Sequence, residues 1–299
     1  MDERYDMQRS VTDGRYVYLR NYMPHLPAGQ HLEYQMQTMT TQVWKRLFDL
    51  GKLNEAQSQF WKAPRESEEL YDLQNDPDEV KNLARSKEHQ PILERLRKAH
   101  RDHVFAVRDV GFLPEDEIHR RAGQGTPYEM ARGPKRYPMK DIFETAQLAS
   151  SGVNDAKTRS MLRGQLFHGD DSAIRYWAAL GLLARGKDGV LEKGSVLQNA
   201  LKDEAASVRI VAAEALATYG DKKDADASLE ILLEHADAKK NSLYVSLAAL
   251  NAIDRLGEKA RPIAAAIAKL PTEPTDGKHR AAMGVSRLVA SIRSKLESK

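Results

Sequence analysis

Apolar and polar positions alternate at the start of the chain. Val11 leads into Thr12-Asp13-Gly14, after which Tyr16, Tyr18 and Arg20 fall on one side and Val17, Leu19 and Asn21 on the other. That period belongs to a half-buried strand. Asp-Gly is a strong hairpin signal because glycine tolerates positive φ, so a strand pair is predicted. Pro24, Pro27 and Gly29 make residues 21–30 a loop. From His31 to Leu50 the apolar residues Leu32, Met36, Met39, Val43, Leu47 and Leu50 recur at steps of three and four, predicting one amphipathic helix stopped by Gly51. A shorter helix over Asn54–Trp61 precedes Pro64. Alternation returns with Leu70, Asp72 and Gln74 against Glu69, Tyr71 and Leu73. The Asn75-Asp76-Pro77 cluster breaks that strand and predicts a turn descending into a helix, with Asp78 and Glu79 as first-turn acids. Pro91 opens the next helix at a position where its missing N–H costs nothing. Ile92, Leu93, Leu96, Val104 and Val107 form its stripe, and Gly111 ends it.

Composition shifts near Pro138. Residues 1–138 hold 14 of the 20 aromatics and 9 of the 12 prolines, and no proline occurs from Met139 to Arg261. The second part therefore reads as uninterrupted short helices. It also repeats. Ile174–Gly186 aligns with Val208–Gly220 and with Val245–Gly257, at spacings of 34 and 37 residues, inside the window of helical solenoids. Ala178, Ala212 and Ala249, with Gly181, Ala215 and Ala252 three on, allow close helix approach, and Leu182, Leu216 and Ile253 fill the space between layers. Each aligned helix is expected to end on its glycine, and Glu214 and Asn251 to lie nearer solvent. Ser195–Leu201, Ala227–His235 and Lys259–Leu270 supply the second helices. Met139–Ser150 and Lys157–Phe167 form a leading pair with Asp141 and Asp155 as N-cap candidates, and His279–Leu296 closes the array. The pattern resembles HEAT repeats, with Arg175 and Arg209 at the place of a frequent HEAT arginine.

Charge adds little: 46 basic against 43 acidic residues give +3, and 41% of residues are hydrophobic. Acids interspersed with the basic residues argue against a nucleic-acid partner. No apolar run approaches the roughly 18 residues of a membrane span. Met-Asp-Glu-Arg-Tyr-Asp has no apolar core and does not read as a signal peptide. Zero cysteines exclude disulfides and thiolate metal sites without fixing the compartment.

Glu68–Ala84, reading E-E-L-Y-D-L-Q-N-D-P-D-E-V-K-N-L-A, resembles the C-terminal subdomain of the type I, formylglycine-dependent sulfatases, where E-L-Y-D-L leads into D-P-x-E-x-x-N-L-A. Arg9–Tyr22 resembles the same family's paired strands R-x-V-R-D-G-R-Y-K-Y-I-R-N. Phe112-Leu113-Pro114-Glu115 and Pro127-Tyr128 resemble its closing segment. The resemblance covers residues 1–138. It implies a small antiparallel sheet with helices in an α+β subdomain over residues 1–138, and the aligned repeats add an all-α HEAT-like solenoid over residues 139–299. In that family the nucleophile is a formylglycine made from the Cys (Ser in some members) of C-x-P-x-R, beside a divalent cation such as calcium. This chain has no Cys and no S-x-P-x-R. The resemblance therefore implies the distal, noncatalytic portion of a sulfuric ester hydrolase, with no cofactor of its own and with a sulfatase catalytic domain or another protein as partner. Family members are often periplasmic or secreted. A free-standing repeat module that binds a protein is the competing reading.

Because such a subdomain packs beside the catalytic cleft, Arg20, Asn21, Tyr22, His25, Gln30, Tyr34 and Trp61 are the candidates for its substrate rim, against a fold-stabilising role in the loop. Tyr16, Tyr18, Leu70 and Tyr71 are expected to be partly uncovered without the catalytic part. His100 and His103, three apart on one helix, invite a shared metal, but no third ligand is evident and ordinary surface or core-edge histidines fit as well. Asp76, Asp78 and Glu79 lack the spacing of a calcium loop. His168-Gly169-Asp170-Asp171 reads as a loop with Asp170 or Asp171 capping the helix after it.

Overall fold

The central strand of a three-stranded antiparallel sheet is the second half of the hairpin. β1 (Gln8–Thr12) pairs with β2 (Tyr16–Asn21), and β2 with β3 (Glu68–Asp72), setting Val11 opposite Tyr18 and Tyr18 opposite Leu70. The computed structural model describes residues 3–133, 136–192, 196–273 and 282–297. They pack as two compact units. One comprises Asp6–Asp109 with Ser150–Gly152, and the other Met1–Tyr5, Val110–Ala149 and Val153–Lys299. Residues 110–133 and 136–138 thus pack with the helices, although the change in composition lies at Pro138.

In the sheet unit, Gly14 takes a φ of +95° in the hairpin turn, where the Asp13 carboxylate accepts from the Arg15 and Tyr16 amides. The predicted helix over His31–Leu50 is two pieces, α1 (Glu33–Met36) and α2 (Met39–Asp49). Thr38 separates them. Its backbone is extended and its hydroxyl accepts from the Thr41 amide, so a cap replaces what the hydrophobic spacing reads as continuous helix. α3 (Glu55–Ser58) starts with a capping box between Asn54 and Gln57 and tightens into a 3₁₀ turn over Gln59–Trp61.

No helix follows β3 directly. Asp76 accepts from the amides of Val80 and Lys81, and Glu79 sits at a left-handed φ of 53°. The acids read as a helix start therefore belong to a loop. Asn82 fastens that loop to the sheet, accepting from the amides of Leu70 and Ala84 and donating to the Glu68 carbonyl. α4 (Gln90–Val107) then covers the sheet with Leu93, Leu96, His100 and Val104. It ends at Arg108, which takes the left-handed cap conformation before Gly111 is reached. Tyr16, Tyr18 and Leu70 are core partners of Leu93 and Leu96, and Tyr71 is buried too. The expectation that these four are partly uncovered is corrected: all four are buried, and α4 covers Tyr16, Tyr18 and Leu70.

The helical unit contains α5 (Glu115–Ala122), α6 (Pro127–Arg132), α7 (Met139–Ala149), α8 (Ala156–His168), α9 (Ser172–Ala184), α10 (Gly186–Val190), α11 (Val196–Ala200), α12 (Ala206–Tyr219), α13 (Lys222–Ala236), α14 (Leu243–Leu256), α15 (Ala264–Ile267) and α16 (Ala282–Glu297). The three aligned stretches fall on α9, α12 and α14. In the row α7, α9, α12, α14, α16 each helix packs on the next, while α8 lies against α9 and α13 against both α12 and α14. Gly220 and Gly257 stand at the C-caps of α12 and α14, but Gly186 opens α10 after Arg185 has capped α9. Asp155 caps α8, and Asp141 lies in the first turn of α7. Lys259–Leu270 is largely a 3₁₀ stretch around Pro262 followed by the short α15, because proline removes a donor the α-helix needs. Residues 195 and 279–281 of the expected helices lie outside the described residues.

Close approach and polar ladders hold these helices together. Gly181 faces Ala149 of α7 and Leu162 of α8 at van der Waals range. The buried Arg185 guanidinium donates to the carbonyls of Leu148, Ala149, Val153 and Gly181, gathering carbonyls from the end of α7 and from α9. Arg175 grips Asp203 with Nε and Nη2 at 2.6 and 3.0 Å, and Arg209 donates to the Asp203 carbonyl at 2.6 Å. Glu214 is buried and accepts twice from Arg255 at 2.6 Å, and Asn251 is buried as well. Their expected exposure is corrected, because α12 and α14 are covered on nearly all sides.

Candidate functional site

The seven rim candidates all fall in the sheet unit, and the structure divides them by access. Arg20 is 4% exposed. Its Nη1 donates to the carbonyls of Ser67 (2.7 Å) and Ser150 (3.2 Å), its Nη2 to Ser150 Oγ (2.7 Å), and its guanidinium stacks 5.1 Å from the Tyr22 ring. Asn21 is fully buried, donating to the Glu66 carbonyl (2.7 Å) and Glu69 Oε1 (2.5 Å) and accepting from Gln8 (2.6 Å). Tyr22 is buried too, and burial pushes its phenol well above the usual range. These three side chains join β2 to the segments on either side of it.

Solvent reaches His25 and Gln30 in part, and Tyr34 is 60% exposed. The loop that carries His25 is fastened by Arg65, whose Nε donates to the Leu26 carbonyl (2.8 Å) and whose Nη2 donates to the Met23 carbonyl (3.1 Å) and to Asp6 (2.6 Å). Sequence reasoning missed Arg65, and nothing in its local pattern marks it. The Gly29 amide donates to the Phe60 carbonyl at 2.6 Å, which brings the loop to Trp61. Trp61 is buried in an aromatic cluster, 4.9 Å from Phe60 and 5.2 Å from Trp44. Beside it, α2 and its C-cap turn apolar side chains outward: Met39 is 79% and the cap residue Leu50 58% exposed, and Val43 is uncovered as well. A partly apolar rim with a few polar groups suits contact with another surface.

His100 and His103 differ in access to solvent. His100 is buried with its ring 5.9 Å from Tyr18 and 6.2 Å from Tyr22, whereas His103 is exposed. Burial, then the positive charges of Arg20 and Arg9, push the His100 imidazole down to about 4. Asp171 caps α9 and pairs with Arg121 at 2.7 Å. Among the described residues, no three His, Cys, Asp or Glu side chains converge as metal ligands. The Asp76 carboxylate is committed to two loop amides, and the sequence holds no Cys. No helix among the described residues is long and apolar enough to cross a membrane.

Comparison with known proteins supports a sulfatase-related origin for part of the chain. The matching protein is an ulvan-active sulfatase of Formosa agariphila, 38% identical over 125 residues. The match covers 42% of this chain and 21% of that protein, so the chain spans about a fifth of its relative's length. No protein-family model and no solved structure matches the chain.

Proposed function

We propose that this chain is the noncatalytic, C-terminal portion of a sulfatase-like sulfuric ester hydrolase, joined to a HEAT-like solenoid that serves protein interaction or assembly. The observation that carries the reading is the 38% identity to a sulfatase over 125 residues in a chain without cysteine. We take the parent's substrate to be a sulfated carbohydrate, in keeping with the relative's activity on ulvan. Within that reading His25, Gln30 and Tyr34 approach substrate from the rim, Arg20, Asn21 and Tyr22 hold the loop that presents them, and Trp61 supports it from beneath. The partner is a sulfatase catalytic part, which supplies nucleophile and calcium and covers Met39, Val43 and Leu50. The parent is periplasmic or secreted.

A second reading, a free-standing repeat module with no link to sulfate esters, has one observation in its favour: α14 and α16 already hold the short segment Glu3–Tyr5. The purified chain is expected to release no sulfate from an aryl sulfate with or without calcium, since it lacks the nucleophile. Turnover that survives repurification and disappears on His25→Ala would overturn the noncatalytic assignment.

A further inference from the structure

Glu3, Arg4 and Tyr5 precede β1 in sequence but pack with the helical unit. Their contacts have the form of peptide recognition. The Asn251 side chain, itself 2% exposed on α14, donates to the main-chain carbonyl of Glu3 at 2.8 Å, and its Oδ1 accepts from Arg4 Nη1 at 3.1 Å. One turn on, Asp254 pairs with Arg4 at 2.8 Å, and both side chains are more than nine-tenths buried. Lys295 of α16 holds the other carboxylate oxygen of Asp254 at 2.7 Å. Arg287 of α16 faces the buried Glu3 carboxylate at 3.7 Å. Gly284 leaves room for the segment, since a Cβ there would stand 3.3 Å from the Glu3 Cα.

This division of labour separates backbone reading from side-chain reading. Asn251 recognises a main-chain carbonyl that any residue offers, while Asp254 selects a cation and Arg287 an anion. With the segment in place the Asn251 amide and the Asp254 carboxylate are both buried and both take polar partners from it, so the face suits a polar occupant.

We propose that the face formed by Asn251, Asp254, Arg287 and Gly284 is a binding site for a short acidic-basic peptide, and that the chain fills it in cis with its own Glu3-Arg4-Tyr5. The proposal rests on reading the helical unit as an interaction module, but not on the sulfatase relationship. Peptide binding and sulfate release are separate measurements, so one can fail without the other.

The test uses the full chain and a fluorescent peptide of sequence Glu-Arg-Tyr-Asp-Met. Glu3→Ala together with Arg4→Ala disables the resident segment. Because the resident segment competes at an effective concentration of about a millimolar, the peptide is expected to bind this variant at least about tenfold more tightly than the wild type. Adding Asn251→Ala or Asp254→Asn is expected to abolish that binding, as is replacing the peptide's arginine by alanine. Equal binding to wild type and disabled chain, or binding indifferent to Asn251→Ala, overturns the proposal. So does a wild-type dimer that dissociates on Arg4→Ala, because the segment then belongs to a second copy. Should the double substitution unfold the chain, hydrogen exchange in Asp254→Asn decides. Faster exchange at residues 4 and 5 with α14 and α16 still protected supports the site, and unchanged exchange there refutes it.

Discussion

Gly181 and Gly164 sit inside neighbouring helices, and the same Gly→Ala change is expected to move stability in opposite directions. Glycine in a helix interior costs about 1 kcal/mol relative to alanine, so Ala should stabilise wherever space allows. At Gly164 a new Cβ meets nothing within 4 Å. At Gly181 it would lie 2.9 Å from the Cα of Ala149, 3.0 Å from its Cβ and 3.0 Å from Leu162 Cδ1. The first contact is backbone and cannot rotate away. Ala149 and Gly181 also share the Arg185 guanidinium through their carbonyls, so parting the helices stretches those bonds. Overpacking of this kind costs about 1–3 kcal/mol, which outweighs the propensity gain. A net loss of about 1 kcal/mol lowers Tm by roughly 2–4 °C in a unit of this size, and a gain at Gly164 raises it by a similar amount. Urea and thermal unfolding followed by helical circular dichroism, which the helical unit dominates, read both variants. Gly181→Ala unfolding at or above Gly164→Ala would refute the packing of α9 on α7 and α8.

Glu214→Gln is expected to cost about 1.5–3 kcal/mol, the worth of a charge-assisted pair, because it leaves Arg255 without its anion; a urea midpoint within error of wild type would show the pair to be idle. His100 gives the sheet unit an acid-sensitive step. With its imidazole held down to about 4 when folded and near 6.5 when unfolded, the unfolded chain binds the extra proton, so stability is full above pH 6.5 and falls as pH drops towards 4, by at most about 3 kcal/mol. His100→Gln should flatten that slope in urea titrations at pH 7, 5.5 and 4.5, and parallel slopes in the two proteins would contradict it.

Much of this was legible wherever local chemistry and packing agree. Asp13-Gly14 announces the hairpin, alternation places Tyr18 and Leu70 inward, and the alanine-rich aligned stretches fall on α9, α12 and α14. The failures share a cause. Thr38 caps a new helix within an unbroken hydrophobic spacing, and Asn82 ties a loop to β3 where acids after a proline read as a helix start. Periodicity records which faces are apolar, not which polar side chain captures a nearby amide. Glu214 and Asn251 looked solvent-facing because polarity is the usual sign of exposure, yet each is buried by a partner distant in sequence: Arg255 for one and the Glu3 carbonyl for the other. In the sequence Arg20, Asn21 and Tyr22 form one set with His25, Gln30 and Tyr34. Only the fold separates the buried three, since Ser150 and Ser67, which hold Arg20, lie far along the chain.

The account turns on whether the sulfatase-related part of this chain can do what its counterpart does in a complete enzyme. In the ulvan-active sulfatase of Formosa agariphila, the matching 125-residue portion is exchanged for that of this chain, and sulfate release from ulvan is measured beside the parent. The expected result is a folded chimera that still releases sulfate. A chimera as soluble and as compact as the parent that releases none would contradict it.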